Sequence, residues 1–240
     1  TITRLKQYPL RVVAPDAETT VTIDRVTAIH FDQVEHIEHA IAECDLVSTS
    51  VGPLQLPDIG PLIAAGLRLR FSNGKRKPLN VIPFENTYDN GKLLRKLVFE
   101  NLSEDERERF ALLVGFPDTT ITVTAFDVKV DDPTGLIVGI DRPEDREIVA
   151  DKAGFVAPVP SLAEIIMTDE LPRYEDRKMF VAGAHAIGAW AGHRCGHDVY
   201  SKAMQEPEPR KALDGAIAEM SAVLQQKHGF TPAEMTRYIT

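Results

Sequence analysis

The sequence contains little cysteine, and this limits the ways in which the fold can be cross-linked. Cys44 and Cys195 are its only two cysteines. Two thiols are too few for a disulfide framework or for a four-cysteine zinc site. Isolated thiols are typical of a reducing compartment, so we expect a cytoplasmic protein.

Long hydrophobic runs and an excess of basic residues are also absent. No apolar stretch approaches the roughly 18 residues that a membrane-spanning helix needs. The formal net charge is −9, with 36 acidic and 27 basic residues, whereas nucleic-acid binders usually carry a basic face. We therefore expect no membrane and no nucleic acid as partner, and a monomer or weak dimer that binds a small molecule.

The first 150 residues alternate between short β-branched segments and amphipathic helices. Strands are predicted at 10–14, 21–29, 46–48, 79–84, 119–130 and 136–140, and helices at 33–41, 57–67, 92–102 and 104–114. Asp32 is the predicted cap of the first helix, and Ser103 with Glu106 forms a capping box. Short apolar strands followed by helices indicate a parallel sheet covered on both faces. We predict a Rossmann-like, mostly parallel α/β domain over residues 1–150.

Residues 151–240 have the pattern of helices. They are predicted at 161–166, 173–204 and 210–227, and a new capping box begins at Thr231. The longest of them contains Gly188, Gly192 and Gly196 at every fourth position, which predicts a buried helix packed closely against a neighbour. We predict an all-helical second domain over 151–240.

Polar and small residues follow two of the predicted strands. Thr49, Ser50, Val51 and Gly52 follow one strand, and Glu85 with Asn86 follows another. Ligands of parallel sheets bind beyond the carboxyl ends of the strands, where hydroxyls and bare backbone suit a nucleotide. Ordinary strand-to-helix turns use the same residues, so the pattern alone leaves both interpretations open.

The long helix carries two titratable residues on one side. Lys178 and His185 are seven residues apart, close to two helical turns, so their side chains point in similar directions. Such a pair is consistent with a general base and its partner. A lysine at a helix start and a core histidine give the same pattern.

A zinc-like spacing occurs near the end of this helix. His193 and His197 are four residues apart with Cys195 between them. No further ligand lies nearby in the sequence, so we expect no metal site.

Three segments together resemble one known family. They are CDLVSTSVGPLQLPDIGPLIAAGL (44–67), NVIPFENTYDNG (80–91) and RKMFVAGAHAIGAWAGHRCGH (177–197). In this order and at these spacings they resemble the long-chain polyol dehydrogenases, which include the mannitol dehydrogenases, over about residues 8–238. The resemblance implies an N-terminal Rossmann domain for NAD(H) and a helical C-terminal domain. It also implies metal-independent hydride transfer to or from a polyol, a polyol phosphate or a related sugar acid.

The resemblance assigns a role to each matching residue. The implied cofactor site comprises Thr49, Ser50, Val51, Gly52 and Asn86. Lys178 is the implied general base, Asn86 and His185 act on the substrate oxygen, and Asn90 and His185 bind substrate. We expect Asn86, Lys178 and His185 to converge on one cleft. The implied cofactor is NAD, with NADP as the alternative.

The catalytic helix departs from the family pattern. Six residues separate Lys178 from His185 where the family has seven, and Ala182 stands where the family has an asparagine. With the family's spacing counted back from His185, Arg177 occupies the position of the lysine. An arginine stays protonated and cannot act as a base. A catalytically degenerate binding or interaction module is therefore the alternative function.

The phosphate-binding loop of the family has no match in the sequence. No G-x-G-x-x-G motif occurs, and the chain ends a few residues after the capping box at Thr231. We therefore expect that the first strand, loop and helix of the Rossmann domain and the end of the helical domain are missing. Because backbone N–H groups of that loop bind the pyrophosphate, we expect this chain alone to bind dinucleotide weakly.

Overall fold

A computed structural model describes residues 9–13, 20–72, 74, 77–122, 124–126, 136–141, 147–158 and 165–239. The chain forms two compact units, residues 1–169 and 170–240. The boundary therefore falls after Asp169 and not after residue 150. The reason is a strand at Ile165–Thr168, which pairs in parallel with Ile148–Asp151 and so belongs to the first unit.

The first unit combines short strands with helices, and the predicted α/β class is confirmed. Its described strands are β1 (Leu10–Val13), β2 (Thr20–Ile23), β3 (Leu46–Thr49), β4 (Leu79–Pro83), β5 (Val114–Gly115), β6 (Thr119–Ile121), β7 (Thr124–Phe126), β8 (Ile137–Asp141), β9 (Ile148–Asp151) and β10 (Ile165–Thr168). Its described helices are α1 (Val34–Glu43), α2 (Leu56–Ser72), α3 (Asn90–Phe99) and α4 (Glu104–Ala111), with a 3₁₀ turn at Lys152–Gly154.

The predicted parallel sheet is formed by β3, β4 and β5. They are hydrogen-bonded in that order, and all three are parallel. Every residue of β4 is buried, as expected for a central strand whose two faces are covered. The main core of the unit surrounds this sheet and includes Leu67, Val81, Leu94 and Phe110.

Two further sheets mix parallel and antiparallel pairing. One has the strand order β2-β1-β8-β7 and the other β10-β9-β6. The predicted pairing of β1 with β2 is confirmed as antiparallel, with Leu10 opposite Ile23, whereas its turn at 15–16 lies outside the described residues. The prediction that β2 continues to Ile29 is wrong, because its ladder with β1 ends at Ile23.

The helix starts were predicted with mixed success. The capping box is confirmed: Ser103 Oγ accepts from Glu106 N–H, and Glu106 Oε2 accepts from Ser103 N–H. The predicted end at 114 is wrong, because Val114 enters β5. Asp32 is not the cap of α1; the N-cap position is Gln33, without a side-chain cap bond.

The prediction of a helix at 161–166 is wrong for its described residues. Ile165 and Ile166 lie in β10 opposite Ile148 and Val149 of β9. β-branched side chains fit a pleated surface better than a helix, so pairing with a neighbouring strand outweighed the short helical pattern.

The second unit is helical, as predicted. Its described helices are α5 (Leu171–Arg194), α6 (Tyr200–Ala203), α7 (Pro207–His228) and α8 (Pro232–Ile239). Helix α5 packs along α7, and a small core forms from Leu224, Phe230 and Met235 with Phe180 and Ile239 against it. None of the helices in the described ranges has the length and apolar character needed to cross a bilayer.

Helix α5 ends ten residues earlier than predicted, at Arg194 instead of Met204. Gly196 has a φ of 88° and stops the helix. Its N–H donates to His193 O at 2.9 Å, and the His197 N–H donates to Gly192 O at 3.0 Å. These two bonds form a Schellman motif, in which a left-handed residue satisfies the last carbonyls of a helix.

The glycines of α5 differ in how closely they approach their neighbours. A Cβ built on Gly192 lies 2.4 Å from Ala203 Cβ, whereas one on Gly183 meets its nearest atom, Met220 Cε, at an ordinary 3.7 Å. The predicted close packing is therefore confirmed at Gly192, whereas the prediction that the whole helix is buried is wrong, since Trp190 is 72% exposed.

This contrast predicts opposite effects of alanine at the two positions. We expect Gly192→Ala to lower the free energy of unfolding by roughly 1–3 kcal/mol because the methyl group overpacks. We expect Gly183→Ala to raise it by about 0.5–1 kcal/mol through helix propensity. Urea denaturation measures both variants. Equal stabilisation by the two substitutions would mean that α5 and α6 do not pack as described.

Candidate functional site

The carboxyl ends of β3 and β4 lie side by side. Thr49 is opposite Pro83 in the parallel ladder, and the Phe84 N–H donates to Thr49 O at 2.8 Å. The segments 50–52 and 84–86 therefore leave the sheet at the same edge, which is where parallel sheets bind ligands.

A buried carboxylate joins these two strand ends. Glu85 is only 2% exposed. Its Oε1 accepts from the Val51 N–H at 3.0 Å, and its Oε2 accepts from the Gly52 N–H at 2.7 Å. The sequence marked Glu85 as a strand-end residue without giving it a role, because its partners lie more than 30 residues away and on the backbone.

The four residues predicted to line the cofactor are arranged around this edge. Thr49 is 6% exposed, and among the described residues its Oγ1 has no hydrogen-bond partner. Ser50 and Val51 are exposed, and Gly52 has a φ of 89°. A buried hydroxyl without a partner and a backbone free of side-chain bulk fit one wall of a dinucleotide site.

Asn86 follows Glu85 and is exposed. Its amide is therefore accessible to a ligand at the strand edge. Its neighbour Glu85 is hydrogen-bonded through its main chain as well as through its side chain. The Glu85 carbonyl accepts from Asn90 Nδ2 at 3.0 Å.

Asn90 does not have the environment of a substrate-binding residue. It is fully buried. Its Nδ2 donates to the carbonyls of Glu85 and Thr119 and to Thr119 Oγ1, and its Oδ1 accepts from the Thr119 N–H at 2.9 Å. Both ends of the amide are used within the protein. We therefore revise its role from substrate binding to holding β4 and β6 together.

This role predicts a large loss of stability on truncation. We expect Asn90→Ala to lower the free energy of unfolding by roughly 2–3 kcal/mol, because buried groups of Glu85 and Thr119 lose their partners. Asn101→Ala is the control, since Asn101 is exposed and donates one bond, to Leu97 O. Thermal melting of both variants measures the difference. An unchanged melting temperature for Asn90→Ala with weaker substrate binding would restore the original assignment.

In the second unit, Lys178 is the residue that the sequence predicts as the general base. It is half-buried in the second turn of α5. Burial lowers the pKa of Lys178 below its ordinary value because it disfavours the charged form, and nearby Glu175 opposes this shift. The lysine is thereby brought closer to releasing its proton at neutral pH.

Arg177 does not compete for this role. It is buried, with its guanidinium stacked on the rings of Tyr174, Phe230 and Tyr238 at 5.1, 5.6 and 4.1 Å. These contacts assign Arg177 to the packing of α5 against the C-terminal helix. Of the two neighbouring residues, Lys178 is therefore the candidate base.

His185 lies on α5 two turns after Lys178. The helix is α-helical throughout Leu171–Arg194, so seven residues separate the two Cα atoms by about 10 Å along the axis and by about 20° around it. His185 is exposed and packs edge-to-face on Tyr200, with ring centroids 6.1 Å apart. Burial raises the pKa of the Tyr200 hydroxyl, and Arg210 opposes this. Tyr200 is a neighbour that the sequence did not reveal.

The pair of histidines with zinc-like spacing is not on one helix face. His193 is in the last turn of α5, whereas His197 lies beyond the helix end, in the Schellman motif. Within the described ranges, no three His, Cys, Asp or Glu side chains are grouped closely enough to hold a metal ion.

The first unit matches the model of a known protein family. Residues 2–164 match the model described as the mannitol dehydrogenase Rossmann domain. The match covers 163 of the 240 residues, including both strand ends described above.

Proposed function

Because the chain belongs to the mannitol dehydrogenase family, we propose that it transfers a hydride between NAD(H) and a sugar alcohol, its phosphate or a related sugar acid. Membership makes the chain an oxidoreductase on the polyol dehydrogenase scaffold. The choice of NAD and of this substrate class is our proposal.

The observation that carries the proposal is the environment of Lys178. Oxidation of an alcohol requires a base that removes the hydroxyl proton as the hydride leaves. Partial burial lowers the pKa of Lys178, which raises the fraction of neutral amine at neutral pH. In reduction, the same residue in its protonated form donates that proton to the carbonyl oxygen.

Two other residues act on the reacting oxygen in this proposal. The accessible amide of Asn86 donates a hydrogen bond to the oxygen and stabilises charge that develops there. His185 lies on the same side of α5 as Lys178 and holds the same oxygen.

The cofactor supplies the hydride acceptor or donor. The residues that would hold it in the first unit are Thr49, Ser50, Val51 and Gly52. Thr49 brings a buried hydroxyl without a protein partner among the described residues, and Gly52 brings bare backbone. NADP remains the second cofactor to test.

We propose mannitol 1-phosphate as the first substrate to test. The experiment follows NADH absorbance with the full-length gene product and a panel of hexitols, hexitol phosphates and sugar acids. We expect one of these classes to produce NADH. A flat trace with every substrate and both cofactors would contradict the proposal.

A catalytically degenerate binding or interaction module is the second candidate function. Ala182, three residues before His185, favours it, because the family has an asparagine there and alanine offers no hydrogen bond. Binding of a polyol in calorimetry without turnover would support this candidate over the dehydrogenase.

A further inference from the structure

The Glu85 carboxylate joins two strand ends of the first unit. It is buried, yet among the described residues no lysine or arginine forms an ion pair with it. Its described hydrogen bonds come from two consecutive backbone N–H groups, those of Val51 and Gly52. A buried carboxylate is costly unless it is well hydrogen-bonded, so both bonds are needed to keep it there.

The segment that Glu85 holds is the one that we assign to the cofactor. Val51 and Gly52 follow Thr49 directly, and Gly52 is in the left-handed region. Two charge-assisted bonds at 3.0 and 2.7 Å fix the orientation of two successive peptide planes. The backbone is thus oriented before any ligand arrives.

Glu85 is fixed from the opposite side as well. Asn90 Nδ2 donates to the Glu85 carbonyl, and the same amide is bonded to Thr119. A continuous chain of hydrogen bonds therefore runs from β6 through Asn90 and Glu85 to the backbone after β3. Asn86, which we place at the reacting oxygen, is the next residue along from the fixed carbonyl.

We infer that Glu85 is a positioning residue that holds the cofactor-lining backbone of Val51 and Gly52 and the attachment point of Asn86. It touches neither cofactor nor substrate. The inference rests on the proposed function, because it needs a dinucleotide to be bound along this backbone.

The test compares Glu85→Gln with a matched carboxylate. In Glu85→Gln one amide oxygen still accepts an N–H, but the NH₂ group opposes the other N–H donor. Asp118→Asn is the control, since Asp118 Oδ1 also accepts two consecutive backbone N–H groups, those of Gly91 at 2.8 Å and Lys92 at 3.1 Å. These belong to the start of α3 and not to the segment after β3.

Two measurements are made on the full-length gene product. Calorimetric titration with NAD should give a Kd about tenfold or more higher in Glu85→Gln, as expected for loss of a bond to a charged group. Asp118→Asn should stay within about twofold of the wild type. Steady-state kinetics should show the increase in the KM for NAD, with the KM for the polyol little changed.

Each other outcome overturns the inference in a different way. A wild type that binds NAD and a Glu85→Gln variant with the same affinity would reduce Glu85 to a structural residue and leave the proposed function intact. Equal weakening in Glu85→Gln and Asp118→Asn would indicate general loosening of the unit. A wild type that binds no dinucleotide would remove the proposed function, and this inference with it.

Discussion

Replacing Lys178 with methionine is expected to lower kcat/KM for polyol oxidation by about 10³-fold, within the range for loss of a general base. Methionine keeps most of the apolar stem, so the half-buried position is still filled. Lys211→Met is the matched control, because Lys211 is an exposed lysine on α7 and should retain wild-type activity. Initial rates of NADH formation measure both variants. Wild-type activity in Lys178→Met would remove the base from the proposed mechanism.

The pH dependence of the wild type tests the same residue independently. The base acts as the neutral amine, so kcat/KM for oxidation should rise with pH and level off above the pKa of Lys178. Burial lowers this pKa from its ordinary value, so the plateau begins at a lower pH than an exposed lysine would give. The rise should be absent from the residual activity of Lys178→Met.

The lowered pKa also has a consequence for stability. In the pH range between the folded and unfolded pKa values of Lys178, the unfolded chain binds more protons than the folded one. Unfolding free energy therefore rises with pH in this range, and the penalty from the charged lysine is fully present below the folded pKa. Lys178→Met should be at least as stable as the wild type at neutral pH, which separates loss of catalysis from loss of folding.

The parallel core of the fold was predictable because its signals are local. β-branched runs such as 46–49 and 79–83 have apolar residues on both faces, which is typical of central parallel strands. The capping boxes at Ser103 and Thr231 rest on residues three apart and are confirmed by both of their bonds. A capping box can be predicted without the rest of the chain because all of its residues lie within one helical turn.

The remaining strands were less predictable because pairing is not local. The predicted strand 119–130 contains β6 and β7, which belong to different sheets. Ile165 and Ile166 were predicted to be helical, but they form a strand because they pair with β9. A short sequence pattern does not indicate which strand is available as a pairing partner.

In the candidate site, too, local patterns were predictable and contacts between distant residues were not. The segment after β3, Asn86 and Lys178 could be named as candidates from motifs, and their roles stay predictions. That Asn90 is bonded to Thr119 and that Glu85 accepts two backbone N–H groups could not be predicted, since these partners lie 29 to 34 residues away. An asparagine in a binding motif and one that joins two strands look alike in the sequence.

Arg70 is another residue whose role depends on distant backbone. It lies near the end of α2 and is only 2% exposed. Its guanidinium donates to the carbonyls of Ala42, Cys44 and Lys77 at 2.8–3.3 Å. These carbonyls flank β3 and the approach to β4, so a single side chain closes the amino end of the parallel sheet.

Arg70→Met is therefore expected to lower the free energy of unfolding by roughly 3–5 kcal/mol, because three carbonyls lose a charged donor at once and the bond to Ala42 O is buried. Arg70→Lys should recover only part of this loss, since an ammonium group cannot reproduce the planar fork that reaches three acceptors. Arg95→Met is the control, because Arg95 is an exposed arginine over the ring of Phe99 on α3. Urea denaturation at pH 7 measures all three variants. A loss from Arg70→Met no larger than that from Arg95→Met would mean that the three carbonyls find other partners and that Arg70 does not hold this end of the sheet.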